Sequence, residues 1–351
     1  MRIPQPCGPL SEGVVRALVA EPSGPQPVGL PHAVSDLDPL TDRDFQLALW
    51  ILYELHYRGF DGVEPDAEWD PLLIVSRAAL ERTFEHALRT LLADAHPSDE
   101  LGHLGDDPVE RVTHALRRMT VSEGPSETTR FLERHATEEE FRGYLAERAV
   151  HHLRESDPHS FLLPRLDGAA KVGLAELQYD EYGSGRPDRL HQELFARGLR
   201  ALEMPDDVAT YAEKAGGETL ASVNVMSLFA LNRRLRGAAL GHLAAFEATS
   251  SLPCDRIAKG ARRLGLPEEV ADYYEEHVLA DAVHEQLAIR TICGALVADE
   301  PELLDDVLFG AAACLTLDGL AGQVLLERWR GSRRPHRRTD AAVAPTTRAA
   351  G

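Results

Sequence analysis

Two imidazoles and a carboxylate recur at helical spacing between residues 277 and 284, in the segment His-Val-Leu-Ala-Asp-Ala-Val-His. Successive side chains on an α-helix are turned by about 100°. His277, Asp281 and His284 would therefore project within about 60° of one another, as metal ligands from one helix must. Histidines and acids are also common on solvated helix faces, so this interpretation depends on the rest of the chain.

Four further residues of metal-binding type lie within or beside apolar helical stretches: Glu155, Glu181, His191 and Glu247. A buried carboxylate is unfavourable unless it has a salt-bridge partner or a metal ion. Lysine and arginine are sparse around Glu181 and Glu247, although Arg186 could pair with Glu181. A metal ion is therefore a serious candidate for the partner of these acids.

The number and type of these seven side chains indicate which metal they would bind. Four carboxylates and three imidazoles without a thiolate are too many, and too rich in oxygen, for tetrahedral zinc. They suit a pair of octahedral iron or manganese ions, as in helical di-iron carboxylate proteins. A single metal bound by His277, Asp281 and His284 is the minimal alternative, but it would leave the other acids unexplained.

The order of these residues resembles that of the haem-oxygenase-like di-iron oxidases, which are often labelled iron-containing redox enzymes. The likeness includes the segment Glu181-Tyr-Gly-Ser-Gly-Arg186, then His191, and Glu247 just before Thr-Ser-Ser. It covers residues 136–330. Transferred position by position, the resemblance implies that the metal ligands, and through the metals the catalytic residues, are Glu155, Glu181, His191, Glu247, His277, Asp281 and His284.

The resemblance also implies a fold and a type of chemistry. The expected fold class is all-α, a haem-oxygenase-like helical bundle. The expected cofactors are two iron ions with an Fe2+ resting form, manganese being the alternative metal, and O2 is the expected co-substrate. The expected reaction is oxidation of a small molecule by N-oxygenation, desaturation or oxidative C–C cleavage.

Several assignments within the site stay open at this stage. Near Glu155 the competing candidates are His151, His152, Asp157 and His159, and near Glu181 they are Glu176 and Asp180. The expected partition places Glu155, His191 and His284 on one iron, Glu247, His277 and Asp281 on the other, and Glu181 between them.

Residues around the metals have predicted roles as well. Acids beyond the ligands would orient the imidazoles, and those with suitable positions are Glu176, Asp180 and Glu285. The candidate substrate-binding residues are Tyr182, Arg186 and Phe246.

Four segments are expected from composition and periodicity. Residues 1–35 are rich in proline and glycine and are predicted to form a flexible arm. Residues 36–135 show helical periodicity and resemble an N-terminal helical extension that helps dimer formation in some family members. The di-iron domain would span residues 136–330, and residues 331–351 would be a disordered tail.

Two long helices are predicted within the di-iron domain. One covers residues 137–160 and starts with a capping-box pattern at Thr137 and Glu140. The other covers residues 218–249, where apolar side chains keep a 3.6-residue rhythm. The Thr-Ser-Ser-Leu-Pro run at residues 249–253 is expected to end it.

Charge and composition restrict the partners. The 351 residues include 37 Lys and Arg against 57 Asp and Glu, and the net charge of −20 argues against nucleic acid or an anionic membrane. We therefore expect a small-molecule substrate. The four cysteines lack CxxC spacing and no GxGxxG unit is present, so we expect an external electron donor, a ferredoxin or a reductase. No export signal or membrane-length apolar run is recognised, so a cytoplasmic location is expected. The resemblance of residues 36–135 to the N-terminal extension of the family implies a homodimer.

Three other functions remain possible on the same residues. A haem-degrading enzyme of the same fold needs only one axial histidine and would leave the acids unexplained. A non-catalytic iron-binding or scaffold protein is the second alternative. A thiaminase-like hydrolase would need a reactive cysteine, and Cys254 is the one near an expected helix break.

Overall fold

A computed structural model describes residues 1–19, 37–93, 107–122 and 126–332. For residues 122, 279–282 and 332 it describes the backbone but not the side chain. The side chain of Asp281 and nearly all of the expected C-terminal tail therefore lie outside the described part.

The described residues form helices joined by turns, with no strand among them, which confirms the all-α fold class. In chain order the α-helices are α1 Pro9–Val19, α2 Arg43–Glu54, α3 Pro71–Leu91, α4 Pro108–Ser122, α5 Glu127–Arg134, α6 Glu138–His152, α7 Asp157–Ser160, α8 Gly168–Glu181, α9 His191–Ala201, α10 Val208–Ala212, α11 Gly217–Leu231, α12 Arg236–Leu264, α13 Glu268–Gln286, α14 Gly294–Asp299 and α15 Leu304–Ser332. Short 3-10 helices occupy Pro65–Trp69, Leu163–Arg165, Gly183–Gly185, Pro187–Arg189, Arg233–Leu235 and Pro301–Leu303, and a π-helix, Leu287–Cys293, joins α13 to α14.

Helix α12 is the central element of the bundle and packs along both α13 and α15. Its backbone touches that of α15 at two glycines. A Cβ atom on Gly241 would lie 1.8 Å from the carbonyl oxygen of Val307, and one on Gly310 would lie 1.8 Å from that of Ala238. Only glycine fits such a crossing. This close contact fixes the part of α12 that carries Glu247.

Residues 9–19 form helix α1, whereas we expected them to belong to a flexible arm. Leu10, Val14 and Leu18 are buried on one face of α1, which packs on α2. Backbone N–H groups in the first turn of α1 donate to the carboxylate of Asp44 at 2.8 Å, where a negative charge is favourable. The proline content misled the prediction because Pro9 is the first residue of the helix, a position that tolerates proline. The rest of the expected arm, from residue 20, lies outside the described residues.

Helix α2 connects the N-terminal helices to the main bundle. It packs against α1, α3 and α11, and almost all of its side chains are buried. Its last residue, Glu54, forms a buried ion pair with Arg154 at 2.7 Å. Because Arg154 directly precedes Glu155, this ion pair ties the N-terminal layer to the candidate site.

The helix predicted over residues 137–160 begins at its capping box but ends at His152. Ser156 then adopts a left-handed conformation with φ 67°, which an α-helix cannot contain. The side-chain amide of Gln178 donates to the carbonyl of Ser156 at 2.9 Å, and that of Gln192 donates to the carbonyl of Glu155 at 3.0 Å. These tertiary hydrogen bonds replace the helical ones and hold the turn between α6 and α7.

The helix predicted over residues 218–249 is two helices, α11 and α12, which separate at Asn232. The Asn232 amide donates to a carbonyl one turn earlier, and the guanidinium of Arg165 donates to the last carbonyls of α11. The break expected at residues 249–253 is absent, and α12 continues through Pro253. Hydroxyl groups just before this proline donate to carbonyls one turn earlier in the helix.

One described helix, spanning Pro301–Gly331, is long and apolar enough to cross a membrane by length and composition. The sequence analysis expected no segment of this kind. Half of its most apolar window is buried inside the fold, where it packs on α11 and α12. A core helix passes the same test, and the packing accounts for the apolar side chains on the buried side.

Candidate metal centre

Six of the seven predicted ligand residues come together in the interior of the bundle. They are supplied by the α6–α7 turn, the end of α8, the start of α9, α12 and α13, and each is at most 7% exposed. The six are Glu155, Glu181, His191, Glu247, His277 and His284. The seventh, Asp281, lies on α13 between the two histidines, and its side chain is outside the described part.

The first group of ligand atoms consists of Glu155, Glu181, His191 and His277, which lie within 4.8 Å of one another. Nε2 of His277 is 3.5 Å from Oε1 of Glu155. Nδ1 of His277 lies 2.8 Å from the backbone carbonyl of Tyr273, to which it donates. Because Nδ1 then carries the hydrogen, Nε2 presents a lone pair towards the carboxylates, which is the form that binds a metal.

The second group consists of Glu181, Glu247 and His284, again within 4.8 Å. Nδ1 of His284 is 3.5 Å from Oε1 of Glu181 and 3.4 Å from Oε2 of Glu247. Its other nitrogen, Nε2, lies 3.6 Å from Asp180, one of the acids expected to orient an imidazole.

Glu181 belongs to both groups and directs a different oxygen at each. Oε2 lies 3.0 Å from Nδ1 of His191, whereas Oε1 faces His284. The Ser156 hydroxyl donates to Oε2 at 2.9 Å and fixes the orientation of the carboxylate. Nδ1 of His191 is buried, and this carboxylate oxygen is its ion-pair partner. A carboxylate placed in this way can bridge two metal ions.

The grouping differs from the expected partition in one respect. His277 lies with Glu155 and His191, and His284 lies with Glu247, so the two histidines exchange places. Seven residues separate them on α13, or about 10 Å along the helix axis. Helix α9 packs along α13 and brings His191 beside His277, with ring centres 4.5 Å apart.

The charges of the site are unbalanced in the protein alone. Among the described residues, no lysine or arginine forms an ion pair with Glu155, Glu181 or Glu247, whose partners are all histidines. Burial raises the pKa of Glu247. Burial also opposes ionisation of Glu155 and Glu181, but the surrounding imidazoles, His277 and His191 first, respectively, together lower the pKa of each. Three buried acids facing three imidazoles therefore fit metal cations, which would supply the missing positive charge.

Tyr273, which the sequence analysis missed, positions Glu155 through a hydrogen bond. Its hydroxyl lies 3.0 and 2.8 Å from the two Glu155 oxygens and 2.7 Å from Nδ1 of His152. A carboxylate can only accept, so the hydroxyl donates to Glu155 and accepts from His152. Nε2 of His152 in turn accepts from Arg148 at 3.4 Å. Burial lowers the pKa of His152 to about 4, so this histidine is neutral near pH 7.

A helical pattern could have suggested Tyr273. It lies four residues before His277 and therefore on the same face of α13 as the histidine. The competing candidates near Glu155 fall outside both ligand groups: His152 contacts the site through Tyr273, while His151 packs its ring against Phe246. Of the other expected orienting acids, Glu176 is exposed and Glu285 accepts a hydrogen bond from its neighbour.

A partly open cavity of about 690 Å³ reaches the first ligand group. Glu155, His277 and Tyr273 line this cavity, together with Phe246. The site is therefore accessible to a small molecule and to O2.

Two of the three residues predicted to contact substrate are not on this cavity. The Tyr182 hydroxyl is paired with that of Ser160 at 2.7 Å, and Arg186 is 61% exposed and forms a surface ion pair with Asp188. Both lie in a segment of 3-10 turns after α8 that includes Ser184 at φ 52°. Of the three residues, Phe246 alone lines the cavity, and its contact with substrate stays a prediction.

The family model that matches this chain is described as iron-containing redox enzyme and covers residues 142–319, just over half of the sequence. A sequence search of curated proteins finds no match. One solved structure that matches is a CADD-like protein of unknown function from Nostoc punctiforme. It is 17% identical, with a TM-score of 0.36, over 72% of this chain and 97% of that chain.

Proposed function

Because this chain belongs to the iron-containing redox enzyme family, we propose that it is a di-iron oxidase or oxygenase that uses O2 to oxidise a small organic molecule. Membership gives the chain a general iron-dependent redox role and identifies its all-α bundle as haem-oxygenase-like. The number of metals, the use of O2 and the substrate are the proposed part.

The observation that carries the proposal is the set of three buried acids without a lysine or arginine partner. Elsewhere in this molecule buried acids are paired: Glu54 with Arg154 and Glu81 with Arg77. At the candidate centre the ion-pair partners of the acids among the described residues are all imidazoles, and the ligand atoms fall into two groups that share Glu181. Two divalent cations would neutralise this set and satisfy both groups.

The proposed ligands of one iron are Glu155, His191 and His277, and those of the other are Glu247 and His284, with Glu181 shared. Asp281 remains a predicted ligand, since it lies on α13 between His277 and His284. When bound, two ferrous ions would supply two electrons to O2 at one place, and hard carboxylates favour the ferric product.

The residues and partners around the metals would have three roles in this reaction. Tyr273 and Ser156 hold the carboxylates of Glu155 and Glu181 in place. The cavity admits a small molecule to the side of the first ligand group. Electrons for repeated turnover would come from an external ferredoxin or reductase, and a homodimer is the proposed assembly.

Anaerobic titration of the metal-free protein with Fe(II) tests the metal count. The expected result is saturation near two ions per chain, about the number that the two ligand groups can hold. Glu181→Gln should reduce this to about one ion or fewer, because the variant loses the shared carboxylate. The matched control is Glu81→Gln, which alters a buried acid outside the centre and should still bind two.

Saturation well below one ion per chain, or full occupancy in Glu181→Gln, would contradict the proposal. O2 uptake by the iron-loaded protein with a reductant separates an oxidase from a non-catalytic iron-binding protein, which would not consume O2 catalytically. Haem added to the metal-free protein should give no Soret band of a ligated haem, and such a band would favour haem degradation instead.

A further inference from the structure

We propose that the cavity beside the metal centre binds the carboxylate of an organic-acid substrate through Arg148, Tyr144 and Tyr274. The rest of the substrate would extend over the apolar wall towards Glu155 and His277. The inference depends on the proposed function in one respect, namely that the cavity is the substrate site. Carboxylate binding itself can be measured without metal.

The Tyr274 hydroxyl is the first observation. Tyr274 is 2% exposed, lines the cavity, and its hydroxyl makes no hydrogen bond among the described residues. A buried polar group without a partner is costly, and water in the cavity can satisfy it only until a ligand enters. A ligand atom that accepts a hydrogen bond at this place would therefore bind better than an apolar one.

Arg148 is the second observation. Its Nη1 donates to Asp318 at 2.6 Å and its Nε donates to His152 at 3.4 Å, whereas Nη2 has no acceptor among the described residues. The Asp318 side chain is 52% exposed and can be hydrated without help from Arg148. The guanidinium therefore retains N–H groups for a ligand in the cavity that it lines.

Tyr144 and Arg148 lie four residues apart on one face of α6, and Tyr274 lines the same cavity as both. Burial raises the pKa of both Tyr144 and Tyr274, and the positive charge of Arg148 counteracts that rise at each hydroxyl. Tyr144 also lines the cavity, is 8% exposed, and its hydroxyl makes no hydrogen bond among the described residues. Three donor groups with unused hydrogens thus face one region.

This excess of hydrogen-bond donors in the cavity indicates which head group the substrate carries. A carboxylate has two acceptor oxygens and no hydrogen, and it can take two parallel hydrogen bonds from arginine. An amide carries N–H donors of its own, which would face the donors of the cavity without an acceptor. An ammonium group would be repelled by the positive charge of Arg148. A carboxylate is the common organic group that satisfies all three side chains.

The other side chains that line the cavity indicate the chemical character of the rest of the substrate. Phe246, Cys254, Ile257 and Leu326 give the cavity an apolar lining. Arg148 precedes His152 by one helical turn, about 6 Å along α6, so the carboxylate would sit beside the metals rather than on them. A carbon several bonds from the carboxylate would then face the centre.

Isothermal titration of the full-length, metal-free protein tests this subsite. The probes are 4-phenylbutanoate and its neutral analogue 4-phenylbutanamide, and removal of metal excludes direct coordination of the acid. We expect the acid to bind at least tenfold more tightly than the amide. Arg148→Gln should abolish this preference, and Tyr274→Phe should reduce it about tenfold, as expected for one hydrogen bond to a charged group.

Two controls accompany these variants. Tyr53→Phe removes another buried hydroxyl that lacks a hydrogen bond but does not line the cavity, and it should leave the preference unchanged. Arg330→Met removes another arginine that lines the cavity, but its side chain is 58% exposed and pairs with Glu127 at 3.0 Å, so it should also have no effect. Because Tyr274→Phe deletes only an atom without a protein partner, its melting temperature should match that of the wild type.

Several results would overturn the inference: equal binding of acid and amide, absence of binding by either probe, an unchanged preference in Tyr274→Phe, or loss of the preference in Arg330→Met but not in Arg148→Gln. Failure of the iron titration alone would leave the carboxylate subsite standing. Failure of the titration with the acid would leave the metal centre standing.

Discussion

The Tyr273 hydroxyl donates to Glu155, with its oxygen 3.0 and 2.8 Å from the two carboxylate oxygens. The same tyrosine accepts the Nδ1 hydrogen of His277 at its backbone carbonyl. One residue thus positions a carboxylate through its side chain and an imidazole through its main chain. Both partners belong to the first ligand group.

Replacement of Tyr273 by phenylalanine should weaken the binding of one of the two metal ions about tenfold. The variant keeps the ring and the backbone carbonyl but leaves Glu155 free to rotate, and loss of such a hydrogen bond typically costs tenfold or more in metal affinity. Titration with Mn(II), followed by electron paramagnetic resonance, measures the two sites separately. Tyr53→Phe is the matched control, and equal affinities in the two variants would show that the hydroxyl does not position Glu155.

Breaking the Glu54–Arg154 ion pair should destabilise the fold far more than breaking an exposed pair. Glu54→Gln leaves the Arg154 guanidinium buried without its charge partner, and loss of one member of a buried pair costs about 3–5 kcal/mol. The exposed Glu193–Arg200 pair offers the control, because Glu193→Gln should cost less than about 1 kcal/mol. Urea unfolding of both variants at constant pH gives the comparison, and similar losses would refute the role given to the buried pair.

The stability of the metal-free protein should fall as the pH drops below 6.5, in part through His242. This residue is 3% exposed, and burial, assisted by His159, lowers the pKa of His242 to about 3. A histidine with a depressed folded-state pKa contributes stability that is complete above its unfolded value of 6.5. That contribution is lost as the pH falls towards 3, because the unfolded chain binds the proton first.

Between pH 6.5 and pH 5 the loss from His242 amounts to about 2 kcal/mol. Between pH 7 and pH 5 the free energy of unfolding of His242→Leu should therefore fall by about 2 kcal/mol less than that of the wild type, as measured by urea unfolding at the two pH values. The exposed His86→Gln serves as the control and should keep the wild-type difference. An unchanged difference in His242→Leu would mean that His242 titrates alike in the folded and unfolded chains.

Much of the candidate centre could be recognised from the order of residues alone. His277 and His284 share a face of α13 because helical geometry relates positions on one helix to one another. Acids in apolar stretches without nearby arginine or lysine indicated a shared cation, because an isolated buried charge is too costly. The same periodicity predicted the all-α class, since the period of apolar side chains distinguishes helices from strands.

The contacts between different helices could not be predicted from helical spacing. Helical spacing tells which residues share a face but not which face of another helix lies opposite, so the exchange of His277 and His284 between the groups required the packing of α9 on α13. The left-handed Ser156, which ends the predicted helix after His152 and places Glu155 on a turn, is stabilised by Gln178 and Gln192 from distant elements.

The residues of the chain themselves determined which ligand types were present and on which helices they would lie. Only the tertiary structure decided that Glu181 faces both groups, that Tyr273 supports Glu155, and that Arg186 points to the surface while Arg148 lines the cavity. Local periodicity follows from backbone geometry within a few residues, whereas these contacts join residues far apart in sequence. They are settled by how the bundle buries its apolar faces and satisfies its polar groups.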